Sequence, residues 1–594
     1  MVRLPQVKIV CLVKQVPRAD AIEFDEETKS LKREGVPLLL NAFDAGAVGV
    51  AAALRDAAGG EVVAMTMGPP AAEEALRLCF GLGADRGIHL SDRVFAVADT
   101  IGTSRTLALA IQQEGDVDLV VCGRKTTDSE TWQVPPEVAA FLGWPHLTSV
   151  TSVKRTSDGT IRATRETDDG SETWEVTLPA VISTTAAVEV SQPGDGRIDV
   201  QTATDLVDDL RENDKRFGQP GSPTRVLAVR SVAPERGGTR CPSLDDAVMR
   251  VRALLDERGP EPTSWEKPER LGERPSSKQY DCWTFVELVG GKPTRLSLEL
   301  LAKGRELAGK LGGDNVALVL GSGVGGATRE VSTHGADRVL VADDEGFAAY
   351  HPETWASAVR AIVERHRPHV LLFPSTANGR DLGPRVAGDL QLGMTGDCVG
   401  LGIDRAGRLI QTKPAYGGNI VSVIMGATTP QLATVRARMF QPLEPRDGNA
   451  EVEEVDVSPR GAHMLRLVER DEEPARDLDE ADVVVCLGDE LPPEDIQRAR
   501  RLAEQAGAGV GATRRVCDRG DLPRNRQIGL YGRPVAPRLL VTVGVSGDFE
   551  ELTGFVKSDV IAAVNHGDAK MLGAADVGVV IHWENAIPAL VGAG

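Results

Sequence analysis

The chain is short of aromatic residues, paired cysteines, long apolar runs and positive charge, and each shortage removes a class of protein. Phe, Trp and Tyr make up only 4% of its 594 residues, while Gly (63) and Pro (35) are plentiful. That composition suits α/β layers of small apolar residues joined by many tight turns. The eight cysteines (11, 79, 122, 241, 282, 398, 486 and 517) include no CxxC pair, so neither a zinc site nor an iron–sulfur cluster is supported. Most lie in or beside apolar strands, where free Cys behaves as a small hydrophobe. No apolar run approaches the roughly 18 residues that a membrane span needs. The segment Met1–Val16 is one short apolar strand flanked by Lys8 and Lys14, without the core or cleavage site of a secretory signal. Lys and Arg number 67 against 87 Asp and Glu, a net charge of −20, which argues against general nucleic-acid or anionic-membrane binding. The expectation is a cytoplasmic protein. Ordinary hydrophobic (41%) and charged (26%) shares exclude disorder and fibres, and at about 150 residues per domain the length implies three or four domains.

What is present is a repeated alternation of strands and helices. Val7–Val13, Val62–Thr66 and Leu119–Cys122 read as buried strands, with helical patterns at Ala71–Leu82, Thr100–Gln113 and Pro136–Leu142. Such alternation predicts βαβ units and a parallel sheet. Hairpin-like strands follow (Ile161–Thr164, Thr173–Thr177, Ala180–Ile182). Residues 194–280 are rich in Gly, Pro and charge, with one clear helix, Leu244–Glu257, and read as a tethering segment. A second alternating region begins at Trp283, with strands at Thr284–Val289, Val316–Leu320, Val339–Val341 and Val370–Phe373. After the acidic stretch Asp471–Asp482 comes a third unit with strands Val483–Leu487, Leu539–Val543, Val560–Val564 and Val577–Ile581. The two halves look alike in plan, which suggests a duplication or subunit fusion.

Three strand-end turns carry candidate chemistry. Gly321-Ser-Gly323-Val-Gly-Gly326, with Asp343 and Asp344 after the next strand, has the spacing of a dinucleotide fingerprint, or is a plain tight turn. Gly544-Val-Ser546-Gly547 could cradle a diphosphate on backbone N–H groups, or use Ser as a helix cap. The loop Gly123–Glu137 is dense in hydrogen-bonding groups at a strand end, where open α/β sheets bind ligands, or is simply a capped loop. His366 and His369 lie too close to a Pro break for a helical metal pair and read as solvated loop histidines.

A family resemblance runs over nearly the whole chain. Lys14-Gln-Val-Pro17, Asn41-Ala-Phe-Asp44, Thr66-Met-Gly-Pro-Pro70, Gly83-Ala-Asp85-Arg86 and the Gly123–Glu137 loop resemble the beta subunit of electron-transfer flavoproteins. Trp283–Val289, Ser297-Leu-Glu-Leu-Leu301, Ser375–Arg385, Thr395-Gly-Asp-Cys398, Gly417-Gly-Asn419 and Ala433-Thr-Val-Arg436 resemble the start of the alpha subunit. Gly511-Ala-Thr-Arg514, Gln527-Ile-Gly529, Ala536-Pro537, Gly544–Gly547, Asn565 and Ala575-Asp576 resemble its flavin domain. The chain is thus similar to a natural beta–alpha fusion, closest in its motifs to the electron-bifurcating and nitrogen-fixation-associated branch.

The resemblance implies an α/β fold of two Rossmann-like (adenine nucleotide alpha hydrolase-like) parallel-sheet lobes and a C-terminal parallel-sheet FAD-binding domain. Its boundaries are 1–235 (beta-like, binding FAD or AMP), 236–280 (linker), 281–470 (alpha-like N-terminal domain) and 471–594 (FAD-binding). The Gly321 turn then falls in a domain without cofactor. The implied function is electron carriage on one or two FAD per chain, with AMP as the alternative to FAD in the N-terminal half. Electrons would pass from a dehydrogenase or NADH to a membrane-linked (quinone-linked) or ferredoxin-type oxidoreductase, by a carrier rather than a substrate-converting enzyme. Implied C-terminal contacts are Thr513 and Arg514 at the isoalloxazine, Ile528, Gly529, Leu530 and Tyr531 near the ring, Val545, Ser546 and Gly547 at the diphosphate, and Asn565 and Asp576 at the adenosine. Implied N-terminal contacts are Leu12, Lys14, Asn41, Met67, Gly123, Asp128, Thr131, Trp132, Gln133 and Val134. The sequence departs from the family pattern at Asp489, where a cation is expected, at Leu530-Tyr531 for Gln-Thr, and at Glu551 for a His beside the pyrimidine ring. Trp132 replaces a small residue and Pro135 a Gly. The basic segment that docks acyl-CoA dehydrogenases is replaced by Ser191–Gly196 and the acidic Asp205–Asp209. A divergent relative serving as a nucleotide-binding or scaffold module is the alternative.

Overall fold

A computed structural model describes residues 6–594 except 26–29, 33–34, 158, 191, 232–235, 259–262, 274–279, 419, 460–463, 473–476 and 556. Ser191, Asn419 and residues 473–476 of the acidic stretch, named above, therefore lie outside the described residues.

The first lobe is built on the strand Val7–Leu12, whose apolar residues are buried on both faces of the sheet. Ile9 and Cys11 face one side, against the helix Ala42–Ala58, while Val10 and Leu12 face the other, against the helices Thr100–Glu114 and Val134–Leu142. Parallel neighbours Gly60–Met67 and Leu119–Gly123 flank this strand, with Arg86–Leu90 beyond the first and Ala180–Thr184 beyond the second. The run Ala180–Ile182, expected in a hairpin, is instead an interior parallel strand, because its apolar residues have core on both sides. The antiparallel strands His146–Ser157, Thr160–Thr167 and Gly170–Thr177 extend the sheet at that side.

The second lobe repeats the order. Cys282–Val286 is central, between Asn315–Gly321 and Val370–Pro374, with Arg338–Asp343 and Gln431–Val435 outside them. Helix Ala377–Leu390 of this lobe crosses helix Val134–Leu142 of the first. The crossing is so close that a Cβ on Gly388 would lie 2.7 Å from that of Ala140. These helices occupy equivalent places in the two lobes, so the contact is pseudo-symmetric. Buried Asp381 stitches it: the Tyr350 hydroxyl (2.6 Å) and, from the first lobe, the Thr148 hydroxyl (2.5 Å) donate to its carboxylate, and His146 lies beside it.

The third unit has a six-stranded parallel sheet in which Val483–Leu487 lies between the edge strand Gly509–Ala512 and Leu539–Val543. One of its strands comes from far away in sequence. Thr239–Cys241 pairs in parallel with Val577–Val580, and helix Leu244–Glu257 buries Ala247, Val251, Leu254 and Leu255 in the same core. The segment 236–280, expected to be a linker, is therefore part of the C-terminal domain as far as Arg258. The reason is the amphipathic helix, whose apolar face has a core to join. Other arms cross too. Thr224–Ser231 pairs with Ile420–Gly426 of the second lobe, and Leu465–Glu472 pairs with Gly170–Thr177 of the first. His366 and His369, expected to be solvated, are half-buried against Trp283 and Tyr280. Among the described residues no helix is long and apolar enough to cross a membrane.

Candidate functional site

In the first lobe the strand order reverses beside Val7–Leu12, and in the C-terminal domain beside Val483–Leu487, which opens a crevice at the carboxyl ends of the strands. In the first lobe this point lies between Val7–Leu12 and Leu119–Gly123. The loops that follow them meet there: the Lys14 ammonium pairs with Asp128 at 2.6 Å. Buried Asp44 receives the N–H groups of Lys14 (2.9 Å) and Gly123 (3.2 Å). Burial pushes its carboxyl up to about 7 despite these bonds. Asn41 is fully buried, donating to the Lys125 carbonyl and accepting from the Thr127 N–H. Burial opposes ionisation of Asp128, yet Lys14 and the Thr126 and Ser129 hydroxyls hold its carboxyl below the usual range. Leu12, Lys14, Asn41, Gly123 and Asp128 thus converge, and Met67 ends the neighbouring strand.

The rest of that loop turns away from the crevice. Gln133 donates to the Thr100 hydroxyl, to Glu137 and to the Met394 carbonyl of the second lobe. A Cβ on Gly396, also of the second lobe, would meet the Thr131 carbonyl at 2.6 Å. Val134 opens the helix that packs on that lobe. Trp132, at φ +63°, is surrounded by cations: Arg380, Arg124 and Lys125 lie 4.7, 5.0 and 5.5 Å from its ring centre. Thr131 to Val134 therefore face the lobe interface in this arrangement.

In the C-terminal domain, turns after adjacent strands abut so tightly that a Cβ on Gly488 would lie 2.0 Å from the Gly544 carbonyl oxygen. Gly547 has φ +86°, and a Cβ there would strike the Met571 N–H, so only Gly fits. The donors for a diphosphate converge on this turn, but they are engaged. The Ser546 hydroxyl (2.8 Å) and the Gly547 N–H (2.9 Å) both donate to the Glu551 carboxylate. Burial, with Asp489 nearby, raises the Glu551 carboxyl above its ordinary value. Val545 is buried, and its carbonyl accepts from the Asn565 amide. Asp489 pairs with Arg515 at 3.0 Å. Thr513 is buried with its hydroxyl unpartnered. Arg514 lies 4.7 Å from the Tyr531 ring centre and donates to the Ala187 carbonyl of the first lobe. Tyr531 in turn packs edge-on against Phe43 (5.8 Å), and its carbonyl accepts from Arg124. Ile528, Gly529 and Leu530 are buried in backbone bonds that hold this loop, to Ala512, Arg533 and Glu550 respectively. Asp576 is taken up elsewhere: it receives Arg236, Arg258 and the Ile561 N–H.

The donor set fits an adenine dinucleotide in kind: a Gly-Val-Ser-Gly turn at 544–547, a buried hydroxyl without a partner at Thr513 and a guanidinium at Arg514. Glu551 and Tyr531 were identified in the sequence as departures from the family pattern; that they fold onto those donors was not legible there. The Gly321 turn is closed in the same manner, since Asp343 accepts from the Gly323 N–H (2.7 Å) and the Val324 N–H (3.2 Å). No His, Cys, Asp and Glu cluster that could hold a metal occurs among the described residues.

The model for the electron transfer flavoprotein domain matches residues 28–205 and again 282–460. The model for the electron transfer flavoprotein FAD-binding domain matches residues 477–556. The electron transfer flavoprotein subunit alpha of Thermoanaerobacterium thermosaccharolyticum is 33% identical over 322 residues, covering 52% of this chain and 96% of that protein. Its counterpart in Clostridium acetobutylicum is 34% identical over 319 residues, covering 52% and 95%. Protein FixB of Azorhizobium caulinodans is 35% identical over 326 residues, covering 52% and 86%.

Proposed function

The chain belongs to the electron transfer flavoprotein family, and we propose that it unites a beta-like and an alpha-like part in one cytoplasmic electron carrier. The observation that carries this reading is the pair of lobes with the same strand order, each matching the same family domain, ahead of a domain matching the FAD-binding one. FAD supplies reversible one- and two-electron chemistry when bound. In the C-terminal domain Thr513, Arg514, Ser546, Gly547 and Asn565 would hold it. Arg514 brings a cation that favours added electrons, and the turn amides favour phosphate. In the first lobe Lys14, Asn41, Gly123 and Asp128 would hold AMP or a second FAD. The donor is a dehydrogenase or NADH, and the acceptor a quinone- or ferredoxin-linked oxidoreductase. Electron bifurcation would require both sites to hold flavin.

The test is to purify the full chain, record its visible spectrum, and identify the nucleotides released on denaturation. Flavin absorption that bleaches on reduction, with FAD released at one or two per chain, is the expected result. A chain that neither retains FAD nor takes it up from excess would overturn the proposal. That outcome would favour the second reading, a nucleotide-binding or scaffold module, which the seating of Tyr531 beneath Arg514 motivates.

A further inference from the structure

The turn Gly544–Asp548 is built to receive an anion, and the chain supplies that anion itself. One oxygen of Glu551 gathers the Ser546 hydroxyl, the Gly547 N–H and, more distantly, the Asp548 N–H at 3.4 Å. The same residue completes a capping box for the one-turn helix Phe549–Leu552, in which the Asp548 side chain accepts in return. The surrounding charges do not ask for a carboxylate: Asp489, Glu550 and Asp548 are acidic neighbours, and the cations here are already engaged, Arg515 with Asp489 and Lys570 with Asp548. A carboxylate is held here because the turn's donors attract it more than its acidic neighbours repel it. A second observation comes from the same end of the sheet: the buried Thr513 hydroxyl, after the strand Gly509–Ala512 two places from Leu539–Val543, has no hydrogen-bond partner.

Resting on the reading above that this domain takes FAD, we propose that Glu551 is an intramolecular stand-in for the dinucleotide's diphosphate and gates the C-terminal site. A diphosphate and the Glu551 carboxylate need the same hydroxyl and the same N–H, so they exclude one another. FAD enters only as Glu551 leaves, and the helix 549–552 loses half its cap in the exchange. The affinity of the site is then set by this competition, and an acidic side chain at 551 makes it weaker than the donors alone would allow. Two charge-assisted hydrogen bonds must be surrendered before phosphate can form its own.

The experiment uses the full chain freed of bound nucleotide, as wild type, Glu551→Ala and Glu551→Gln. Glu551→Gln retains a residue suited to the capping box and guards against a variant that fails to fold. Binding of inorganic pyrophosphate and of FAD is measured by calorimetry, and amide hydrogen exchange is followed across 546–552. In the wild type without ligand, the Gly547 N–H should be protected, and in Glu551→Ala that protection should vanish and return on adding pyrophosphate. Both ligands should bind Glu551→Ala about tenfold or more tightly than wild type, with Glu551→Gln between. Equal pyrophosphate affinity in wild type and Glu551→Ala, or rapid Gly547 exchange in the free wild type, overturns the gate. Tighter pyrophosphate binding without FAD binding in any variant would leave the gate standing and remove the flavin reading instead.

Discussion

At the scale of single residues, buried carboxylates divide by what faces them. Asp397 receives Arg436 at 2.6 Å and Arg380 at 2.8 Å. Burial opposes its ionisation, yet these two guanidinium groups and Lys413 hold the carboxyl well below the ordinary range. Removing one member of a buried pair leaves an uncompensated charge, at a cost of about 3–5 kcal/mol. Asp397→Asn should therefore lower the urea midpoint clearly at pH 7. Because the folded-state carboxyl is depressed, its contribution is present above the unfolded value near 4 and is lost as pH falls below that. The difference between wild type and Asp397→Asn should accordingly shrink as the pH is taken below about 4. A constant difference from pH 7 to pH 3 would show that Asp397 acts by shape and not by charge. Asp44 and Glu299 are the opposite case: burial outweighs their partners and raises each to about 7.

At the scale of elements, the connecting segments do the joining. Three strands belong to a sheet other than that of their sequence neighbours: Thr224–Ser231, Thr239–Cys241 and Leu465–Glu472. Each satisfies a row of backbone groups that would otherwise leave an open sheet edge. Arg236 and Arg258 further fasten the 236–258 segment to Asp576 of the C-terminal domain. A single proteolytic cut within 259–262 should thus leave both fragments associated, since each contributes strands to sheets of the other. Gel filtration of the nicked protein at micromolar concentration measures this, and elution of two separate fragments would contradict it. The C-terminal domain produced alone as 477–594 lacks a strand and a core helix, and should be markedly less stable than in the full chain.

At the scale of the whole molecule, the net charge of −20 and the acidic run Asp205–Asp209 favour a partner with a positive surface. Steering by opposite charge weakens as salt screens it over about 10 Å at 0.1 M. Electron-transfer rates with the physiological partner should fall as ionic strength rises to the physiological range, read by stopped-flow reduction. A rate indifferent to salt would place the docking surface on the uncharged part of the molecule. Aromatic and guanidinium groups also join the units into one body: Arg514, Tyr531, Phe43, Arg124 and Trp132 stack in series from the C-terminal domain into the first lobe. The C-terminal domain in this arrangement is docked through its candidate site.

The alternation of small apolar strands and amphipathic helices by itself determined the α/β class, the parallel cores of the three large sheets and the likeness of the two lobes. These follow from local periodicity, which any nucleating segment carries within a dozen residues. The motifs at strand ends likewise gave the crevices, because only Gly and short polar residues permit such turns. Tertiary structure decided what fills them. Glu551 is four residues beyond Gly547, and only the fold of the 549–552 turn brings its carboxylate onto the Ser546 hydroxyl. Tyr531 meets Arg514 because a loop returns across a strand end, and Asp576 meets Arg236 across 340 residues of chain. The segment 236–258 read as a tether since its composition is that of a surface; its helix found a core only where the C-terminal sheet offered an unpaired edge. Contacts of this kind depend on which surfaces are left over once the local elements have formed, and that is a property of the assembled whole.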